Sequence, residues 1–365
     1  MVESIFNSFL MGGFECSTHK NRAGHRLDMI AATRHDELAE RDYECLMRLG
    51  MRTARDGVRW HLIEQQPGRF DFSSLTSQIA AVRNTGIQII WDIFHYGFPD
   101  DVDVTRPEFI ERFTRFAVAT CDHLAAELGP DILICPVNEI SFFSWAAGRA
   151  AIFYPYRQKK ASIIKDILIE ASASSLPAIR ERIPNLRWIF TEPAIHVVPS
   201  GSNKRAAENY RRAQFEALDR LHELGCLDII GLNYYIHNQW RHPSRRPLAI
   251  GHHEYRPPRD IFSEYYERYG RPMLISETGI EDERRPEWFR FVHAEAEAAR
   301  ASGAMLDGLC LYPIFNHPGW EDGRHCHNGL WDYADANGLR ESYAPLESVI
   351  REVSELPMPP LAAHC

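Results

Sequence analysis

The fold is decided by Asp131-Ile132-Leu133-Ile134-Cys135-Pro136-Val137-Asn138-Glu139, an apolar run that ends in a carboxylate. A second run of the same kind, Pro272-Met273-Leu274-Ile275-Ser276-Glu277-Thr278-Gly279, carries Glu277 at its end. Both runs are almost continuously hydrophobic, which is typical of strands buried on both faces of a parallel sheet. The carboxyl ends of such strands form the active-site face of a parallel barrel. We therefore expect Glu139 and Glu277 to face one pocket.

Strand-like apolar runs recur along the whole chain, with segments of helical pattern between them. The predicted strands are Phe9–Phe14, Thr53–Val58, Gln88–Phe94, Asp131–Val137, Arg187–Thr191, Asp228–Asn233, Met273–Ser276 and Asp307–Tyr312. Apolar residues at helical spacing, followed by glycine, predict helices at His35–Leu49, Pro107–Leu128, Ala206–Leu224 and Glu287–Ser302. The proline-rich stretch Arg241–Pro258 is expected to be a long loop.

This alternation predicts an α/β fold, a single-domain (β/α)8 TIM barrel over residues 1–356, with residues 357–365 as a frayed C-terminal tail. A doubly wound open sheet is the rival architecture. No glycine-rich phosphate loop follows the first strand, which argues against its nucleotide-binding form.

Composition limits the classes of partner. The formal net charge is −9, and the 41 Lys and Arg residues are scattered, so no nucleic-acid partner is expected. The N-terminus has no pattern of a signal peptide, and no apolar stretch approaches the length of a membrane span. Eight dispersed cysteines without a secretory signal favour reduced thiols and a cytoplasmic location. A neutral small molecule is the expected ligand, while the oligomeric state is left open.

Two carboxylates in one pocket are the minimal equipment for cleaving a glycosidic bond. In a retaining enzyme one carboxylic acid protonates the leaving oxygen, and a carboxylate about 5–5.5 Å away attacks the anomeric carbon. Their surroundings must keep the two pKa values apart, so that one is protonated while the other is charged. This chemistry needs neither a metal nor a cofactor, and none is predicted.

Other polar and aromatic residues at the strand ends are candidates for holding the nucleophile or the sugar. Arg55 on the second strand can fix an ionised nucleophile by a charge-assisted hydrogen bond, and the hydroxyl of Tyr235 can do the same. Asn138 can donate to the sugar 2-hydroxyl, and His95 can bind another hydroxyl. Trp320 offers an apolar platform for the sugar face.

Three further features of the sequence have competing interpretations. Glu192 ends the fifth strand, either in a salt bridge at the barrel rim or in contact with substrate or Arg55. Tyr234 and Tyr235 alternate on a strand, so only one of them can face the pocket. His325-Cys326-His327 has metal-ligating residue types, but the favoured interpretation is a polar loop over the pocket.

These segments together resemble glycoside hydrolase family 1, the β-glucosidase-like retaining enzymes of the clan A (β/α)8 barrels. The resemblance spans nearly the whole chain and is carried by Ala54–Trp60, Phe94–Pro99, Val137–Ile140, Asp228–Tyr235 and Ile275–Gly279. It implies that Glu139 is the acid/base and Glu277 the nucleophile. It also implies that Arg55, His95, Asn138, Asn233 and Tyr235 support them.

The same comparison shows departures at the sugar-binding end. Gly319 stands where the family has a glutamate that grips the sugar, although Trp320 matches the tryptophan that follows it. Tyr312 replaces a tryptophan, and Glu15 or His19 takes the place of a Tyr-Gln pair. The family resemblance also implies a cis peptide bond before Pro313. Glucose specificity is therefore not implied.

The predicted function is an exo-acting retaining β-glycosidase for a small glycoside. A transglycosylase needs the same two carboxylates and differs only in the exclusion of water. A non-catalytic sugar-binding barrel derived from such an enzyme is kept open by Gly319, and a metal-dependent hydrolase is the remaining alternative.

Overall fold

The eight apolar runs form a closed parallel barrel. The computed structural model describes residues 4–355, so the predicted tail at 357–365 lies outside the described residues. In chain order the barrel strands are β1 (Leu10–Gly13), β2 (Thr53–Gly57), β3 (Gln88–Asp92), β4 (Leu133–Cys135), β5 (Arg187–Pro193), β6 (Ile229–Asn233), β7 (Met273–Thr278) and β8 (Leu306–Leu311). Each strand pairs in parallel with its sequence neighbour, and β1 closes the barrel by pairing with both β2 and β8. The predicted (β/α)8 barrel is confirmed.

Helices connect the strands. Within residues 4–355 the α-helices are Met29–Ala32, His35–Arg48, Trp60–Ile63, Thr76–Thr85, Glu108–Leu128, Ile140–Trp145, Ala161–Arg182, Lys204–Ala213, Glu216–Glu223, Pro258–Tyr269, Arg285–Ala301 and Ala344–Val353. Short 3-10 turns at Phe72–Leu75 and Asp282–Arg284 and a π turn at Ala146–Ala150 complete them. The alternation of β-strand and α-helix thus continues through all eight units.

Two predicted elements differ from the structure. The helix predicted over Ala206–Leu224 is broken at Gln214, which turns inward and accepts hydrogen bonds from the Ile195 amide and the Tyr265 hydroxyl, both at 3.3 Å. The loop predicted over Arg241–Pro258 contains a short hairpin. The two hairpin strands are Gln239–His242 and Arg246–Pro247, and the first of them also pairs with His196–Pro199, so that the three form a small sheet.

Strand alternation divides the side chains of β2 between the inside and the outside of the barrel. Arg55 points into the barrel toward its carboxyl end, whereas Asp56 points outward to the helix His35–Arg48. Inside, apolar side chains from alternate strands fill the lower part of the barrel, among them Met11, Ile90 and Leu274. The polar groups of the site therefore lie above a packed apolar floor.

A buried ion network ties β2 to the surrounding helices. The imidazole of His35 lies between two carboxylates, 2.8 Å from Asp42 and 3.0 Å from Asp56. Burial alone would lower the pKa of His35, but the two carboxylates outweigh it and raise that pKa to about 9. Arg340 binds Asp42 at 2.7 Å, and the Tyr43 hydroxyl donates to Asp56 at 2.6 Å. The outer face of β2 is thus held by charged groups rather than by apolar contacts alone.

Two further properties concern the helices and the cysteines. None of the helices within residues 4–355 combines the length and the apolar character needed to cross a bilayer. The seven cysteines of this part of the chain are all buried, and Cys16, Cys121, Cys135, Cys226, Cys310 and Cys326 form no disulfide.

Candidate active site

The two predicted catalytic carboxylates line one cavity at the carboxyl ends of the barrel strands. The cavity has a volume of about 910 Å³, toward the upper end of the roughly 300–1,000 Å³ of ordinary ligand pockets. Glu139 follows β4 and Glu277 lies within β7, and the side chains of both are mostly buried. The cavity is therefore large enough for a sugar ring and a second group.

Glu139 is held in an unusual backbone conformation and an unfavourable environment for charge. Its φ of 47° lies in the left-handed region, which non-glycine residues rarely adopt, and its amide donates to the Thr191 carbonyl at 3.0 Å. The Tyr96 hydroxyl donates to its carboxylate. Burial, followed by the nearby charge of Glu277, raises the pKa of Glu139 to about 8. At neutral pH Glu139 is therefore mainly protonated.

Glu277 lies in the opposite environment. Its Oε1 accepts a hydrogen bond of 2.6 Å from Arg55 Nη1, and its Oε2 accepts one of 2.9 Å from the Tyr235 hydroxyl. Charge-assisted hydrogen bonds of this kind favour the ionised form of a carboxylate and fix its orientation. Tyr234 faces away from the site and contacts Tyr255, as strand alternation requires. The two carboxyl groups thus have different partners: Glu277 is bonded to a guanidinium group and a hydroxyl, whereas Glu139 is bonded to a hydroxyl.

Asp92, at the end of β3, holds Arg55 in place and was missed in the sequence. It accepts hydrogen bonds from Arg55 Nε at 3.0 Å and Nη2 at 2.7 Å. Burial alone would raise the pKa of Asp92, but Arg55 and His95 outweigh it, so the pKa is lowered. The signal was a charged residue inside an apolar run, because Asp92 lies within the predicted strand Gln88–Phe94 and is followed by Ile93 and Phe94.

The amide of Asn138 contacts protein groups rather than the cavity, which corrects the predicted contact with a sugar hydroxyl. Its Oδ1 accepts from Arg55 at 2.6 Å and from Thr191 at 2.7 Å. Its Nδ2 donates to Tyr96 at 2.9 Å and lies 3.0 Å from His95 Nε2. Both amide hydrogens are used, because Asn138 is fully enclosed by the strands around it.

His95 is likewise used internally, although it lines the cavity. Its Nδ1 lies 2.8 Å from Asp92, and its Nε2 faces the amide of Asn138. Neither ring nitrogen is left for a sugar hydroxyl in this arrangement, contrary to the prediction for His95. The chain Arg55–Asp92–His95–Asn138 is therefore a positioning network beneath the cavity.

Asn233 also lies beneath the cavity, at the end of β6. Its Oδ1 accepts a hydrogen bond from the Ser276 hydroxyl at 2.6 Å. Its Nδ2 is buried and has no hydrogen-bond partner within residues 4–355. The Asn233 side chain nevertheless lies against Glu139 and acts to lower the pKa of that carboxyl.

Tyr96 is the second residue that sequence reasoning missed. Its φ of 68° turns the ring over the cavity, where it stacks on Phe143 with centroids 6.0 Å apart and donates to Glu139. The next residue, Gly97, packs so closely on the loop after β1 that an added Cβ would lie 2.5 Å from the Thr18 carbonyl oxygen. The segment was noticed for His95, but no pattern in it marks Tyr96 as the residue that reaches the carboxylate.

Glu192 forms neither the predicted salt bridge nor a contact with Arg55 within residues 4–355, while its predicted contact with substrate stays a prediction. No Lys or Arg nitrogen among the described residues lies within 4 Å of it, and it does not bind Arg55. Its carboxylate instead accepts a hydrogen bond of 3.0 Å from the Ser141 amide at the start of the helix after Glu139. Burial raises the pKa of Glu192 to about 7. Glu192 lines the cavity and anchors that helix.

The far wall of the cavity carries polar atoms without protein partners. Within the part of the chain that the structure describes, the Tyr312 hydroxyl, the Trp320 indole nitrogen and Asn328 Oδ1 make no hydrogen bond, and all three residues line the cavity. The ring nitrogens of His19 also lack a partner there, but His19 does not line the cavity. Glu15, by contrast, accepts from the Ser17 amide at 3.0 Å. The Tyr312–Pro313 bond is cis, as predicted. Such unused buried groups are suited to binding the hydroxyls of a ligand.

Gly319 lies in a tight turn of the hairpin that follows β8. Its amide donates to the Arg324 carbonyl at 2.7 Å, and an added Cβ would collide with Asp322. Neither Gly319 nor the neighbouring His325 and His327 lines the cavity. The prediction that this histidine segment covers the pocket is therefore wrong, because His325 points instead to Asp332, 2.8 Å away.

The fold and the position of the cavity define a (β/α)8 barrel of the kind found in family 1 β-glucosidases. The sequence matches no protein-family model and no curated protein. Among solved structures, a family 1 β-glucosidase from Thermotoga maritima has a TM-score of 0.79 and 16% identity, covering 98% of this chain and 100% of that chain. The Thermotoga maritima β-glucosidase in complex with noeuromycin has a TM-score of 0.79 and 16% identity over 97% and 98%. Its complex with deoxynojirimycin has a TM-score of 0.77 and 17% identity over 98% and 100%. The resemblance inferred from the motifs is confirmed for the fold.

Proposed function

We propose that the protein is a retaining β-glycosidase that cleaves a small glycoside by double displacement, without a cofactor. The observation that carries the proposal is the contrast between two carboxyl groups in one cavity. Glu139 is buried and mainly protonated at neutral pH, with a pKa of about 8, while Glu277 is held by Arg55 and the Tyr235 hydroxyl. This is the pairing of acid and nucleophile that glycoside cleavage requires.

The residues suggest how each step proceeds. In the first step Glu139 gives its proton to the leaving oxygen while Glu277 attacks the anomeric carbon, forming a covalent glycosyl ester. The ester is neutral, so Glu139 loses the adjacent negative charge that helps to raise its pKa. Glu139, left ionised by the first proton transfer and stabilised by the Tyr96 hydroxyl, then accepts a proton from the water that attacks the anomeric carbon, and the bond between the sugar and Glu277 breaks.

Six buried cysteines, Cys16, Cys121, Cys135, Cys226, Cys310 and Cys326, form no disulfide within residues 4–355. They support the proposal of a cytoplasmic location, because reduced thiols persist in that compartment.

The experiment is hydrolysis of a panel of nitrophenyl α- and β-glycosides by the protein and by its Glu277→Gln variant. We expect turnover of one or more β-glycosides, loss of turnover in the variant, and initial release of the β-anomer by NMR. Adding an excess of an acceptor sugar and analysing products then separates hydrolysis from transglycosylation. A folded protein that turns over no member of the panel, or an unchanged rate in Glu277→Gln, would contradict the proposal.

A second variant tests the role of Glu139. Glu139→Ala should retain attack on a dinitrophenyl glycoside, whose leaving group needs little protonation, but should accumulate the glycosyl ester. Azide should then accelerate turnover and give a β-glycosyl azide, because this nucleophile needs no general base. Formation of an α-glycosyl azide would show that no glycosyl ester forms on Glu277.

A further inference from the structure

Acidic and basic side chains line different parts of the cavity. The carboxyl groups of Glu139 and Glu277 line it and are buried, whereas Arg149 and Arg245, which also line it, are exposed, and Lys165 is half-buried. The exposed cations mark its outer end. A chain with a formal net charge of −9 thus places three cations at the outer end of this cavity. Such a field favours ligands that carry negative charge at the outer end.

Two of these cations have no acidic partner. Lys165 is neutralised by Glu216, which also lines the cavity, with 2.7 Å between Nζ and Oε2. No carboxylate oxygen within residues 4–355 lies within 4 Å of the guanidinium of Arg149 or Arg245. The outer end therefore keeps an uncompensated charge of about two, provided by groups that form bidentate bonds with carboxylates.

The guanidinium group of Arg245 is positioned by an aromatic ring. Arg245 lies over the ring of Trp145, 5.1 Å from the ring centroid, in a cation–π contact. Arg149 also lines an adjoining cavity of about 340 Å³, together with Lys159. Ala161 and Ser162, which begin the helix Ala161–Arg182, line both cavities, and the positive end of the helix dipole adds to the field there.

The charged end lies on the leaving-group side of the site. Glu139 is followed directly by the helix Ile140–Trp145 and the turn Ala146–Ala150, and Ser141, Trp145 and Arg149 line the cavity along this segment. The acid of a retaining glycosidase protonates the leaving oxygen, so the aglycone lies beside the acid. Aromatic side chains also line this part of the cavity: Phe142, Trp145, Tyr210 and Trp240.

We propose that the natural substrate is a β-glycoside whose aromatic aglycone carries a carboxylate, bound by Arg149 and Arg245 over the ring of Trp145. The inference rests on the proposed function for the direction in which the substrate lies. The cavity of about 910 Å³ accommodates both rings, and the aromatic lining matches the aglycone ring as the two guanidinium groups match its charge.

The test uses paired probes that differ in charge and share their shape: the 4-carboxyphenyl and 4-carbamoylphenyl β-glycosides of glucose, galactose, mannose, xylose and fucose. Affinities are measured by calorimetry on the Glu277→Gln variant, so that binding is read without turnover. We expect the carboxyphenyl member to bind about tenfold more tightly than its amide, since two charge-assisted bonds exceed one exposed ion pair. The preference should shrink as salt is added.

The preference should disappear in Arg149→Gln/Arg245→Gln. Arg246→Gln is the matched control, because Arg246 belongs to the same hairpin but does not line the cavity, and it should leave the preference intact. Equal binding of the two probes, binding of neither, or a preference that survives the double substitution would overturn the inference. Turnover of neutral glycosides without a charge preference would leave the proposed function standing and remove only the anionic aglycone. A charge preference without any turnover would support the anionic aglycone and contradict the proposed function.

Discussion

At the scale of single residues, the site depends on one hydroxyl that touches the proposed acid. We expect Tyr96→Phe to lower kcat about tenfold, which is the order of a hydrogen bond to a charged group. The bond from Tyr96 acts to lower the pKa of Glu139, so its removal raises that pKa further. The acid then stays protonated to higher pH, and the alkaline limb of kcat/KM, expected near pH 8 in the parent protein, should move upward.

The matched control is Tyr234→Phe. Tyr234 is buried at the end of β6, but its hydroxyl contacts Tyr255 and Gln239 rather than a carboxylate. Its pH profile should coincide with that of the parent. An alkaline limb that stays in place in Tyr96→Phe would separate Tyr96 from the titration of Glu139.

The raised pKa of Glu139 has a cost for stability. In the unfolded chain this carboxyl has an ordinary pKa, while in the folded protein its pKa is about 8. Its contribution is therefore most favourable below about pH 4.5 and becomes unfavourable as pH rises through 8. Glu139→Gln should be more stable than the parent at pH 9 by a few kcal/mol, and by much less at pH 5. Denaturant unfolding at pH 5 and pH 9 measures the free energy of unfolding of the variant and the parent. The same difference between them at both pH values would contradict the raised pKa of Glu139.

Sequence patterns located three charged residues of the site but missed Asp92, which lies inside a predicted strand rather than at its end. Glu139, Glu277 and Arg55 were found because a charged residue at the end of a buried strand has few explanations other than a site. Asn138 and His95 were placed in the right region but given the wrong partners. Their amide and imidazole groups can bond equally well to protein or ligand, and only the three-dimensional packing decides between the two.

At the scale of elements, the connection between β2 and its helix depends on the charge of His35. With a pKa of about 9, His35 is protonated at neutral pH and stabilised by Asp42 and Asp56. This stabilisation is complete below about pH 6.5 and is lost as pH rises through 9. We expect His35→Gln to lower the free energy of unfolding by roughly 3–5 kcal/mol at pH 6, and by clearly less at pH 10.

Denaturant titrations at both pH values measure this difference. His222→Gln is the control, because His222 is exposed on the helix Glu216–Glu223 and has no carboxylate bonded to its ring. A loss in His35→Gln that is the same at pH 6 and pH 10 would show that packing, rather than charge, links the strand to the helix.

Elements buried on both sides were the most predictable. All eight barrel strands appear where continuous apolar runs placed them, with ends that differ by a few residues. The break at Gln214 was not predictable, since the polar groups that draw this side chain inward, on Ile195 and Tyr265, come from distant parts of the chain.

At the scale of the whole molecule, the proposed reaction uses acidic and basic side chains that the barrel brings together from separate strands. Arg55 supplies the positive charge next to Glu277, and the histidine segment around His325 lies outside the cavity lining. We expect prolonged dialysis against a chelator to leave both kcat and Tm unchanged. Loss of activity that is restored by added zinc would instead favour a metal-dependent hydrolase.

Gly97 and Thr18 have a consequence for how this barrel can be re-engineered. The loop after β3 and the loop after β1 touch so closely that there is no room for a single methyl group between them. The two loops must therefore be exchanged as a pair, although more than seventy residues separate them in the chain. A chimera that takes either loop alone from another barrel would disrupt the packing of Gly97 on Thr18 and so displace the neighbouring Tyr96. Recombination of this scaffold is therefore expected to succeed only where both loops travel together.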